Sequence, residues 1–480
     1  MPELDASTLI SAFVTLSEIV SIAFIPLVLL RRKEPSSTFA WIFVLLAFPA
    51  LGIVLFWYLG RDRIRRPVRT RLAVSSQLRQ RLEDRITDTP AAAPAVRTSL
   101  IDAQPEAMRG VMRLATRMGR ANLVRGNRVE LLVGATGTYD ALVQAIDGAR
   151  SHVHLEFYAF RRGVAAQRVI DALERASERG VKVRLLYDAF GSLGVSRALR
   201  GLRKKGGEAS PFFPLDPIRR AATINLRNHR KLVVVDGALG FCGGINVGDE
   251  FVPWRDVMLR VEGPAVGQLQ AVFVEDWYFA TREDLDDDAC FPALPEPGDA
   301  VLQIVQSGPD QTMGAIHHLY FAAIAAARER VWISTPYFVP DRAVLVALQT
   351  AALRGIDVRL VVPAHSNYPV AKWAGESFYE ELLGAGVRIF EYGPDMLHTK
   401  ALVVDGCFAT VGSANLDVRS FRLNFELVAV VYDDDIVFEL TQLHDQDQRS
   451  SRELTHPEWD KRSFGARFKE GVGRLLSPML

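Results

Sequence analysis

The sequence is poor in cysteine. Its 480 residues hold three, Cys242, Cys290 and Cys407, and their wide separation offers neither a disulfide framework nor the paired CxxC spacing of a zinc ribbon. Such cysteine usage is compatible with a reducing compartment. An excess of charge of one sign is also missing: 57 Lys and Arg stand against 56 Asp and Glu, for a net charge of +1. There is no global basic footprint, so nucleic acid is not expected as a partner. Histidine and lysine are both scarce, at nine residues each, which makes their placement informative.

Two of these histidines, His229 and His398, open copies of one signature. The first copy reads His229-Arg230-Lys231, four residues, Asp236, then Gly243-Gly244-Ile245-Asn246. The second reads His398-Thr399-Lys400, four residues, Asp405, then Gly412-Ser413-Ala414-Asn415. With so few His and Lys, this triplet is expected by chance on the order of 0.01 times in such a chain, so two copies with every spacing repeated are a signal. Breaking a phosphodiester without a metal needs a nucleophile, a proton donor and fixed positive charge around the phosphate oxygens. His, Lys and Asn supply these. The apolar runs Leu232 to Val235 and Ala401 to Val404 follow each motif. A strand there points His and Lys, two positions apart, to one face.

The amino terminus has the opposite character. Glu18 is the only charged residue from Leu9 to Leu30, and Phe39 to Gly60 has none. Each run is long enough to cross about 30 Å of hydrocarbon as a helix. Two transmembrane helices, at about 9–30 and 39–60, are therefore expected, with Trp41, Trp57 and Tyr58 near the interfaces. Pro49 and Gly52 leave a re-entrant second segment open. Arg61, Arg63, Arg65, Arg66, Arg69 and Arg71 outnumber Arg31, Arg32 and Lys33, which favours a cytoplasmic body. The Arg cluster also suits anionic lipid headgroups.

The expected organisation is a membrane hairpin over 1–72, a charged helix and linker over 73–99, and two halves over 100–295 and 296–480. The halves look duplicated. Val153-His154-Leu155-Glu156-Phe157-Tyr158-Ala159-Phe160 matches Val331-Trp332-Ile333-Ser334-Thr335-Pro336-Tyr337-Phe338 in apolar pattern. In each half a helix-like segment and a second strand, beginning at Arg179 or Arg354, follow. Alternating strands and helices argue α/β layers, with one site between the halves.

Other candidates have plainer readings. His152 and His154, and the pair His317-His318, lack partners at ligand spacing, so polar surface or satisfied core is expected and no metal or cofactor is assigned. The acidic run Glu283 to Asp288 reads as a solvated loop, and Pro211 to Pro217 as a Pro-rich loop or an acyl entry. Phe464, Phe468, Val472 and Leu476 recur every four residues among basic ones, an amphipathic stripe suited to core packing or to interfacial docking.

The paired HxKxxxxD signatures resemble the phospholipase D superfamily, and the surrounding sequence is close to its bacterial cardiolipin synthase branch over nearly the whole chain. Supporting stretches include Pro35-Ser36-Ser37-Thr38, Asn228-His229-Arg230-Lys231, Trp254-Arg255-Asp256, Thr335-Pro336-Tyr337-Phe338 and Asn424-Phe425-Glu426. Met258 stands where that branch leads one to expect His, and Gly244 where the second copy has Ser413. The resemblance implies two phospholipase D-like α/β sandwich halves sharing one site, with His229, Lys231, Asp236, His398, Lys400 and Asp405 as the catalytic set. Within it Asp236 and Asp405 are expected to be structural, pairing inside each half. Asn246, Asn415 and Ser413 are expected to bind the substrate phosphate. Asp256 and Glu426, at like positions after their respective His, are expected to orient the rings. The implied activity is phosphatidyl transfer between two phosphatidylglycerol molecules in the bacterial cytoplasmic membrane, giving cardiolipin and glycerol through a phosphatidyl-histidine intermediate. A membrane-bound phospholipase D hydrolysing phospholipids is the alternative, followed by a phosphodiesterase or nuclease. Expected partners are anionic phospholipids and the bilayer.

Overall fold

The computed structural model describes residues 6–30, 35–56, 77–87, 93–119, 121–214, 225–285, 287–311 and 314–477. The chain divides into two compact units, Met1–Val68 and Arg69–Leu480. The Arg residues between 61 and 71, the turn 31–33, Trp57 and Tyr58, and Leu215 to Pro217 lie outside the described residues.

In the first unit a 24-residue helix, Ala6–Leu29, packs against two shorter ones, Pro35–Ala47 and Pro49–Leu55. The uninterrupted second helix expected over 39–60 is therefore not what forms. Pro49 has no N–H to continue the first segment, and Phe48 leaves the helical region at φ −136°, ψ 71°. Ser21 donates to the carbonyl of Pro49 at 3.1 Å, and Val28, Leu45 and Phe56 form a small core. Leu16, Ile19, Ile22, Phe39, Phe43 and Leu51 are exposed. Among the described residues no helix is long and apolar enough to cross a membrane.

The second unit is built, among the described residues, on one 16-stranded sheet. Its first half contributes β1 (Val124–Val133), β2 (His152–Phe157), β3 (Lys182–Asp188), β4 (Glu208–Phe212), β5 (Arg227–Asn228), β6 (Lys231–Val235), β7 (Leu239–Gly243) and β8 (Val257–Glu262). The second contributes β9 (Ala300–Ser307), β10 (Arg330–Ser334), β12 (Asp357–Pro363), β13 (Arg388–Tyr392), β14 (Ala401–Val404), β15 (Phe408–Gly412), β17 (Asn424–Val431) and β18 (Ser451–Leu454), with β11 (Phe338–Val339) and β16 (Leu416–Asp417) pairing apart from it. The orders β4-β3-β2-β6-β7-β8-β1 and β13-β12-β10-β14-β15-β17-β9 repeat strand for strand. Antiparallel pairing of β1 with β9 joins the copies, so the duplication yields one continuous sheet rather than two separate ones.

Alternation along β2 shows how the layers form. Val153, Leu155 and Phe157 join the apolar core with helices Ala135–Gly148 and Val164–Glu178. His154, on the other face, stacks on Phe273 of helix Ala265–Thr281 at 4.5 Å. In the second copy Trp332 of β10 stacks likewise on His444 of helix Asp434–Arg449. Burial of apolar strand faces under helices on both sides is the arrangement that parallel pairs such as β2–β3 and β10–β12 require.

Candidate active site

His229 and Lys231 sit at the entry to β6, and His398 and Lys400 at the entry to β14. All four are buried. The backbone crosses between the halves beside each motif: His229 N donates to Phe425 O at 2.9 Å, and His398 N to Arg255 O at 2.7 Å. The residue after each of those acceptors is a carboxylate. His229 Nδ1 is therefore 3.0 Å from both oxygens of Glu426, and His398 Nδ1 is 2.5 Å from Asp256 Oδ2. Each carboxylate stands beside an imidazole, but the pairs are crossed: each ring is held by the other half. Lys231 Nζ donates to His229 O at 2.6 Å, and Lys400 Nζ lies 2.9 Å from His398 Nδ1.

Burial sets the electrostatics. It lowers His229 to about 4 and His398 to about 3, with Glu426 and Asp256 opposing the shift and the lysines adding to it. Near neutral pH both imidazoles are neutral, and with Nδ1 occupied the free lone pair belongs to Nε2. Burial also brings Lys231 and Lys400 down. It pushes the other way on Glu426 and Asp256, yet His229 and Lys231 hold Glu426 low, and Lys400 and His398 hold Asp256 low. Each histidine feels the lysine of the other motif as well as its own. The four basic side chains thus share one site.

The remaining expected site residues divide. Asp236 and Asp405 lie at the far ends of β6 and β14. Each opens an Asp-Gly turn with φ positive at both residues, a conformation Asp tolerates and Gly favours. Asp236 accepts from the backbone N of Arg150, Ser151 and His152, and Asp405 from Arg328, Glu329 and Arg330. Both tie the hairpin to the neighbouring strand, away from the seam. The Ser413 hydroxyl donates to Glu426 Oε2 at 2.5 Å, which places it on the carboxylate that holds His229. Asn246 Oδ1 accepts from Ala159 N at 3.1 Å. Asn415 is buried, and its Oδ1 has no hydrogen-bond partner among the described residues.

Gly244 has a physical reason for departing from Ser413. A Cβ there would lie 2.2 Å from Asp256 Oδ1, so the carboxylate that holds His398 occupies the space of a side chain. Met258, where His was expected, is wholly buried in the apolar core of the first half.

Several contributors escaped the sequence reading. Tyr158 packs edge-on against His229 at 4.8 Å, and Trp254 lies 4.8 Å from His398. Asn424 donates to Glu426 Oε1 at 3.0 Å. Arg230, between His229 and Lys231, points to the opposite face, where it pairs with Asp276 and donates to Gln306 at 2.9 Å. Glu156 belongs to the same buried group; burial and then Asp276 push its carboxyl well up. The only available signal was strand alternation, which sends the residue between two inward side chains outward.

Phe212 and Phe213 are buried against Phe279 and Phe425. In the acidic run, Glu283, Asp284 and Asp288 pair with Arg184, Arg81 and Arg85. His317 pairs with Asp341 at 3.0 Å. His152 and His154 are neither surface nor satisfied: both are buried, and the Nε2 of each lacks a partner among the described residues.

A duplicated α/β body that brings two His-Lys pairs to one seam, each ring held by a carboxylate, defines a two-motif phosphoryl transferase of the phospholipase D type. Residues 142–277 and 320–448 match the family described as cardiolipin synthase, PLD-like domain. A cardiolipin synthase of Geobacillus kaustophilus is 37% identical over 472 residues, covering 96% of this chain and 92% of that protein. One from Staphylococcus aureus is 36% identical over 464 residues, covering 95% and 93%. The chain belongs to the cardiolipin synthase family. The fold is also that of the phosphatidylserine synthase of Haemophilus influenzae, at TM-score 0.57 and 15% identity over 76% of this chain and 96% of that one.

Proposed function

We propose that this protein is a membrane-bound phosphatidyltransferase that converts two molecules of phosphatidylglycerol to cardiolipin and glycerol. The crossed His-carboxylate pairs carry the reading, because they leave two neutral Nε2 atoms free at one seam to act on a phosphate. In the first step His229 Nε2 attacks the donor phosphorus, the P–O bond to glycerol breaks, and His398 gives its proton to the departing oxygen. The anionic phosphodiester favours that proton on His398 before the attack. In the second step a hydroxyl of the second lipid loses its proton to His398 and attacks phosphorus, and the P–N bond breaks. Lys231, Lys400, Asn246 and Asn415 stabilise charge on the phosphate oxygens, and they do so without a metal.

The amino-terminal unit supplies the lipid setting. Its helix Ala6–Leu29 exposes Leu16, Ile19 and Ile22, an apolar face that supports contact with the bilayer, and the excess of Arg between 61 and 71 over that at 31–33 supports a body on the cytoplasmic side. Helix Phe464–Leu476 supports the same setting: Phe464, Phe468, Val472 and Leu476 are exposed, so the stripe faces outward rather than into the core.

The test is incubation of purified protein with labelled phosphatidylglycerol, with products resolved by mass. Cardiolipin and glycerol in equal amounts are expected; phosphatidic acid alone would make water the acceptor and the protein a hydrolase.

A further inference from the structure

Away from the seam, on the face of β2 that meets helix Ala265–Thr281, three donor side chains converge. His152 and His154 alternate along the strand with ring centroids 4.5 Å apart. Their Nδ1 atoms are occupied: that of His152 lies 3.3 Å from Ser151 Oγ, and that of His154 2.9 Å from Gln270 Nε2. Their Nε2 atoms are buried and unpartnered among the described residues, with the residues 2% and 0% exposed. Cys290, 3% exposed, arrives from the segment after the helix, and one donor atom from each of the three lies within 4.8 Å of the others.

Burying two imidazole nitrogens with nothing to accept or donate is costly, and the chemistry of the set points to what would satisfy them. Two imidazoles and a thiolate suit zinc rather than the hard cations magnesium and calcium. Burial keeps both rings in the neutral form that ligates. We propose that His152 Nε2, His154 Nε2 and Cys290 Sγ form a structural site for a divalent cation of the zinc class, one that pins the segment 287–292 to β2.

Tetrahedral bonds of about 2.0–2.3 Å place ligand atoms about 3.3–3.8 Å apart, so closure from a spread of up to 4.8 Å asks about an ångström of movement within the set. The Cys290 thiol loses its proton to solvent as the metal–sulfur bond forms. The fourth position falls to water or to Asp287, whose carboxylate already accepts from Cys290 N at 2.9 Å. Arg184, the nearest cation on β3, is offset by Glu283 at 2.8 Å and Glu208 at 3.3 Å. The site is separate from the transfer chemistry proposed above, so failure of one reading leaves the other standing.

The full-length protein, purified in detergent without a polyhistidine tag and stripped with a chelator, is titrated with Co²⁺. One equivalent is expected to produce tetrahedral ligand-field absorption with a thiolate-to-cobalt charge-transfer band, release one proton, and be displaced by Zn²⁺. Cys290→Ser should abolish the charge-transfer band and weaken binding by at least about 100-fold, while Cys407→Ser leaves both unchanged. Absence of that band in the wild-type protein overturns the proposal whether or not the Cys290 variant folds. So does an identical spectrum in Cys290→Ser.

Discussion

His229 and His398 each have one nitrogen spoken for and one free, and the partner that occupies Nδ1 decides which proton can move. Either His→Ala change is expected to remove nearly all turnover, and the double variant to lose little more, because nucleophile and acid act as one unit. With a donor whose leaving group needs no protonation, His398→Ala should still trap lipid on His229, as intact-protein mass after rapid quenching would show; an adduct on His398 in His229→Ala protein reverses the roles. Protonating Nε2 removes the attacking lone pair. Since burial holds His229 at about 4, inactivation of the free enzyme by a histidine-acylating reagent should persist at pH 5 and slow only as the pH falls through about 4. Slowing through the ordinary 6.5 would contradict it. Asp256→Asn keeps the shape but not the charge, and a drop in kcat of about 10³- to 10⁴-fold is expected by analogy with a triad carboxylate. Its ¹⁵N-imidazole signature should shift at His398, in the other half, and stay put at His229.

At the scale of elements, the helices Ala265–Thr281 and Asp434–Arg449 occupy matching places against β2 and β10 but carry different chemistry. His444 on the second helix is stacked on Trp332, and its Nδ1 shares a hydrogen bond with Ser334 Oγ at 3.0 Å. Burial lowers it to about 3. Above pH 6.5 neither folded nor unfolded chain protonates this group. As pH falls below 6.5 the unfolded chain binds the proton first, so the contribution of His444 to stability is lost down to about pH 3. His444→Phe removes that loss. Relative to the wild type the variant should gain about 1.4 kcal/mol between pH 7.5 and 5.5, read as a difference in unfolding free energy; a pH-independent difference would mean that the ring titrates in the fold as it does in the unfolded chain. The sequence made the elements legible because strand and helix periods repeat in both copies, and it made the motif legible because His and Lys are rare. It did not disclose the crossed carboxylates, since spacing from His229 to Asp256 and from His398 to Glu426 is nearly equal and suggests pairing within a half. Backbone bonds between the halves, among them those from His229 to Phe425 and from His398 to Arg255, break that symmetry. The break at Phe48 was hinted at by Pro49, while the empty Nε2 atoms of His152 and His154 face a cysteine far along the chain, beyond the reach of any local pattern.

For the whole molecule, the proposed orientation predicts that protease added to intact cells spares the body and that protease added to inverted vesicles digests it. Digestion from outside would place the body on the other face of the membrane. The crossed pairs also bear on how such a chain arose and what it can now tolerate. Before the copies were fused, a single copy had its histidine and its carboxylate but could bring them together only by meeting a second copy, which implies an ancestor that worked as a homodimer. Fusion released the two copies from being identical. They have used that freedom, one keeping Asp256 with Gly244 and the other Glu426 with Ser413, and each carboxylate is matched to its neighbour. Gene conversion between the repeats, which would homogenise them, is thereby penalised whenever it copies one member of a set without the other. The duplication has become a lock that preserves its own asymmetry.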